Sequence, residues 1–200
     1  AVDESKRDFG QDLNAVCDLV RLLLHRVARV GDRQRAAGWQ AAVLDDVREY
    51  QDRFAHLRST DPLERLFAAV DMAIEFYVDD PQFYKTLWAS VFDASDDVRS
   101  EIYNQARNAF WRNLVKAAGK AGVVAPGVDV EFLFKALDRS FGAAMLEWVV
   151  GELPPERLAP TIRHSYALIL KGAASDGWRG PLDVRLQESQ ACIEGAGFSL

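Results

Sequence analysis

Apolar residues recur at steps of three and four over most of this chain, the spacing that lines up one face of an α-helix. Between about 11 and 30 they are Leu13, Val16, Val20, Leu23, Leu24 and Val27, and Gly31 ends the stretch. Between about 39 and 58 they are Val43, Val47, Tyr50, Phe54 and Leu57. Thr60-Asp61-Pro62 then carries a start signal: a capping oxygen, a proline at the first helical position and Glu64 in the first turn. Leu63, Leu66, Phe67, Val70, Ile74 and Tyr77 continue from it. Asp80-Pro81 repeats the signal for a shorter helix over about 81–93. Ser95-Asp96-Asp97 opens another, to about 121. Asp129 caps a helix over about 130–151 that Gly151 terminates, and Pro154-Pro155 starts one over about 155–174. No Asn-Gly or Asp-Gly turn joins alternating runs, so strands are not expected.

The pattern predicts an all-α protein, a bundle of about seven helices. Residues 1–40 form an atypical N-terminal segment and 41–175 the main helical body. Residues 176–200 hold Gly177, Gly180, Pro181, Gly195 and Gly197, show little periodicity and read as a poorly ordered tail.

Composition narrows the classes. With 200 residues, 49% of them hydrophobic and 10% aromatic, the chain can bury one substantial core and is unlike a disordered segment. The net charge of −6 argues against a nucleic-acid binder that is basic throughout. Five arginines (Arg21, Arg26, Arg29, Arg33, Arg35) nevertheless face a single acid, Asp32, between residues 21 and 40. Arg26, Arg29 and Arg33 are the candidate DNA-phosphate contacts there, the weaker expectation beside a solvated basic face. Two cysteines, no apolar run long enough for a bilayer and no signal-like apolar segment point to a cytoplasmic protein without a membrane partner.

Catalytic chemistry finds no footing in the spacing. His25, His56 and His164 pair with no other His or Cys at helical spacing, and there is no HExxH, so no metal site is expected. Asp79-Asp80 and Asp96-Asp97 sit at helix starts, where the dipole favours negative charge, and read as caps rather than magnesium ligands. No GxSxG and no nucleophile–base pair occurs, so no enzyme activity and no cofactor are expected. The aromatic residues carry more: most are core at helical spacing, and together they can line an apolar pocket with a few polar tips.

Residues 41–174 resemble the regulatory body of the tetracycline-repressor-like (TetR-like) transcriptional regulators. Four passages carry the likeness: AAVLDDVREYQDRF, DPLERLFAAVDMAIEFYVDDPQFYKTLW, SFGAAMLEWVVGELPPERL and SYALILKGAAS. The third is the most telling, a helix ending in Trp-x-x-Gly-Glu-Leu followed by a Pro-Glu-x-Leu start. The family's N-terminal helix-turn-helix has no readable counterpart in residues 1–40. The resemblance implies a small-molecule effector pocket inside the body; Phe67, Tyr77, Trp88, Phe92, Tyr103 and Phe110 are the candidate lining. It also implies a homodimer through the last two predicted helices, whose apolar residues exceed one narrow stripe. Phe141, Met145, Trp148, Ile162, Tyr166 and Ile169 are the candidate seam. The implied function is a regulator, a repressor in most such proteins, that binds an apolar or amphipathic effector. The alternative is an all-helical enzyme or small-molecule carrier with a hydrophobic pocket.

Overall fold

A computed structural model of the chain describes residues 45, 48–93 and 105–195. Among them the fold is all-helical, with one isolated antiparallel bridge between Val124 and Ala174 and no strand. We number the helices α1 (48–55), α2 (Pro62–Asp79), α3 (Pro81–Asp93), α4 (Gln105–Lys120), α5 (Val130–Val150), α6 (Pro155–Ala173) and α7 (Asp176–Gly195). The helix expected at 11–30 lies outside the described residues.

The helix ends follow the local chemistry of the sequence. Asp61 Oδ1 accepts from the Leu63 and Glu64 amides at 2.8 and 2.9 Å, and Pro62 takes the first helical position. Asp129 Oδ1 accepts from the Glu131 and Phe132 amides at 2.9 and 3.1 Å. Asp80 Oδ1 accepts from the Phe83 amide at 3.1 Å, so this acidic pair serves the start of α3. Gly151 closes α5 at φ 87°, in the left-handed region where a Cβ costs about 1–2 kcal/mol.

Helices α2, α4, α5 and α6 surround one core. Leu66, Val70, Val115, Leu137, Phe141, Met145, Trp148, Leu158, Ile162 and Leu170 are all but inaccessible in it. Helix α3 lies against α5, and α6 lies between α5 and α7. The loop after α4 is pinned beneath the α6–α7 junction. Ala125 N donates to Ala173 O at 2.8 Å, Ser175 N donates to Val123 O at 2.9 Å, and Ser175 Oγ donates to Gly122 O. At the α4–α5 contact, Glu131 meets Arg112 Nε at 2.9 Å and Lys116 Nζ at 3.0 Å. The Lys116 hydrogen bond holds its carboxyl below the ordinary 4.5.

Residues 176–195 correct the reading of a poorly ordered tail. They form a helix packed along α6. Leu182 is fully buried, Ser189 nearly so, and Trp178 and Leu186 rest on the core. Lys171 of α6 pairs with Asp183, and His164 Nδ1 lies 3.2 Å from Ser189 Oγ. Gly177 and Gly180 fall in the first two turns and Gly195 is the last residue, while Pro181, the sixth residue, removes one bond of the helix ladder. The apolar stripe is weak because α7 draws its order from packing on α6 more than from its own propensity.

Two outcomes test this arrangement. Leu182→Ala should lower stability by about 2–4 kcal/mol in urea unfolding, as for a buried leucine in a core; a disordered tail would give no change. Glu131 is depressed in the folded state, so its contribution is present above pH 4.5 and disappears as the pH falls below it. Unfolding midpoints of wild type and Glu131→Gln should therefore differ well above pH 4.5 and converge well below it.

Candidate functional site

The aromatic residues form one connected row through the body. At the α3 end Phe83 meets Tyr84 at 5.0 Å between ring centroids, and Tyr84 meets Tyr77 at 4.6 Å. Tyr77 reaches Trp88 at 6.4 Å and Phe141 at 6.1 Å. Phe141 also meets Trp88 at 6.0 Å and Trp111 at 6.5 Å. Trp111 leads to Phe110 at 5.7 Å, and Phe110 to Tyr50 and Phe54 of α1 at 5.3 and 5.1 Å. Most of these pairs are edge-to-face, the arrangement that sets the positive rim of one ring against the negative face of the next. Cations edge the cluster. Arg65 sits 4.3 Å over Phe54, Arg112 4.9 Å over Phe134 and Lys85 5.1 Å over Trp148.

Of the expected pocket residues, the structure brings Tyr77, Trp88 and Phe110 into this row. Phe67 is buried elsewhere, beneath α7, with the Arg185 guanidinium 5.8 Å over its ring. Phe92 lies on α3 but its side chain is outside the described set, as is all of Tyr103. Arg26, Arg29 and Arg33 are also outside the described residues. Six residues of the row were not among the expected lining: Tyr50, Phe54, Phe83, Tyr84, Trp111 and Phe141. Tyr50 and Phe54 read as one face of an amphipathic helix, and nothing in their spacing says that face meets Phe110.

A cavity of about 10 Å3, room for one water, lies between Leu66, Trp111, Val115, Leu137 and Tyr166, with Asp138 at its edge. A drug-sized ligand needs roughly 300 Å3 or more. Among the described residues the rings of the row pack directly on one another.

The expected dimer seam is corrected in its particulars. Phe141, Met145, Trp148, Ile162 and Tyr166 face the chain's own core, and Ile169 is half-buried against it. The reason is geometric. A helix wedged between neighbours must bury one full face, and the largest apolar residues, recurring at steps of three and four, occupy that face. The outward faces carry other residues. On α5 they are Phe132, 66% exposed, then Ala143, Leu146 and Val150 along one stripe. On α6 they are Leu168, 58% exposed, with Thr161, Ser165 and Gly172. A Cβ built on Gly142 or Gly172 would meet nothing within 4 Å.

Among the described residues no group of three His, Cys, Asp or Glu side chains is placed to hold a metal, and no helix is long and apolar enough to cross a membrane. No protein-family model, no curated protein and no solved structure matches this chain.

The burial pattern separates two kinds of substitution. Trp148→Ala and Phe141→Ala should each cost about 3–5 kcal/mol of folding stability at any protein concentration. If they faced a second copy instead, they would change the association constant and leave the monomer's unfolding midpoint in place.

Proposed function

We propose that this chain is the effector-sensing and dimerisation body of a TetR-like transcriptional regulator. The observation that carries the reading is the outward apolar stripe of the α5–α6 pair. Two adjacent antiparallel helices present Leu146, Val150 and Leu168, with the small residues Gly142, Ala143 and Gly172 beside them. Small residues let a second pair of helices approach closely, and a twofold axis through this face would bury both copies' stripes in a four-helix seam. The resemblance of the α5–α6 passage to that family supports the same arrangement.

The effector enters the aromatic row. The rings stand 4.6–6.5 Å apart, so an effector entering between them parts them, and the helices that carry them move with it. That is the two-state element a sensor needs: an effector that binds only the opened body shifts the population toward it. Trp148 is outside the row but shares the buried face of α5 with Phe141, two turns away, and its Nε1 is buried and meets no acceptor among the described residues. A donor left so costs about 1–3 kcal/mol, which an effector oxygen would recover. An amphipathic molecule with an apolar body and one acceptor fits these walls. DNA binding would fall to the segment before residue 41.

The competing reading, an all-helical carrier or enzyme with a hydrophobic pocket, needs no outward seam. Light scattering decides between them. The wild type should be a dimer at micromolar concentration, and Leu146→Glu with Leu168→Glu should give folded monomers. Each change should weaken association by about 2 kcal/mol or more, about 30-fold in Kd. A wild type that stays monomeric at tens of micromolar rejects the dimer and with it the regulator reading.

A further inference from the structure

A second cavity lies away from the aromatic row, where α7 crosses α2 and α6. It encloses about 120 Å3, the volume of about four waters. Its floor is the ring of Phe67. One wall is an ion pair: Arg163 Nε donates to Asp71 Oδ1 at 2.5 Å, and Arg163 Nη2 meets Asp71 Oδ2 at 2.5 Å. The other wall is α7, with Arg185, Glu188 and the buried Ser189, and Cys192 stands at the rim.

We propose that this cavity is a binding site for a small monocarboxylate with a short apolar tail, held by Arg185. Four observations converge on that class. Asp71 takes the planar fork of Arg163, so that wall is close to neutral. Arg185 has no comparable partner: its Nη1 reaches Glu188 Oε2 at 3.3 Å, the long end of the hydrogen-bond range, and Glu188 is mostly exposed. Guanidinium groups carry donors and no acceptors, so the lining asks for an acceptor, and a carboxylate matches their fork in both spacing and plane. Two carboxylates against two guanidiniums leave the lining neutral overall, which favours one negative charge over two. The apolar part of the lining is the Phe67 ring, which the Arg185 guanidinium overlies at 5.8 Å, so a tail would lie beside that stack, and the volume limits it to a few carbons.

The site is distinct from the aromatic row and does not depend on the proposed effector or dimer. Its position gives it a consequence of its own. Arg185 belongs to α7, while Phe67 and Asp71 belong to α2 and Arg163 to α6, so an occupant would tie α7 to the body.

Propionate is the probe and propylamine, of the same size and opposite charge, its control. Cys192 reports on the site through alkylation by iodoacetate, in which the thiolate sulfur displaces iodide; Cys17→Ser removes the other thiol. In the full chain, propionate should slow carboxymethylation of Cys192 saturably, and propylamine should not. Arg185→Gln, with helical content confirmed by circular dichroism, should weaken that protection at least about 10-fold. Glu188→Gln removes the competing acceptor and should strengthen it; this variant carries the test if Arg185→Gln fails to fold. Protection that does not saturate, equal protection by propylamine, or protection by propionate undiminished in Arg185→Gln or unstrengthened in Glu188→Gln overturns the assignment.

Discussion

Helix α6 buries Leu158, Ile162, Tyr166 and Leu170 in one row, at steps of four, and the rest of the molecule is arranged about that row. It packs against α5 on one flank, α7 on the other and α2 beneath. The charged groups beside the row point to the same neighbours: Arg163 to Asp71 of α2, and Lys171 to Asp183 of α7. Such half-exposed pairs add little energy, but they fix which helix lies where. The apolar row supplies the stability, and the pairs supply the register.

With α6 held on three sides, one strip of it faces away from all three neighbours. Thr161, Ser165, Leu168 and Gly172 occupy that strip, and Ala143, Leu146 and Val150 are exposed on α5. The proposed dimer face is thus a remainder: it consists of what intrachain packing leaves over. The same logic governs the interior. Rings that meet mostly edge to face at 4.6–6.5 Å fill the space between them, so the proposed sensing would work through expansion of the body. The polar cavity under α7 has a different origin. Two arginines and two carboxylates cannot close as tightly as apolar side chains while keeping their hydrogen-bond geometry, and space remains between them.

The helices and their ends were legible in the sequence because the signals are local. Asp61-Pro62, Asp80-Pro81, Asp129 and Gly151 act on amides within one turn of themselves, and each stands where its chemistry implies. The all-α class followed from periodicity alone, since the α2, α5 and α6 stripes each span several turns. Tyr77, Trp88 and Phe110 came together with Phe67, Phe92 and Tyr103 only as a lining that the resemblance implied, and Phe67 lies apart from the first three.

What only the tertiary structure decided is which face meets which neighbour. Phe141 and Trp148 looked like surplus apolar surface, yet they sit at the centre of the core. Helical spacing shows that residues share a face and is silent on whether that face meets the same chain or a second one. Tyr50 and Phe54 join Phe110 across more than fifty residues of sequence, a distance no local pattern spans. Helix α7 is the clearest case. Its glycines and its proline weaken every local signal, and it is ordered because Leu182 finds a hole that α6 and the body provide. Propensity and capping belong to a few adjacent residues and can be read from them. Burial is a property of the assembled neighbours, and it exists only once the chain has brought them together.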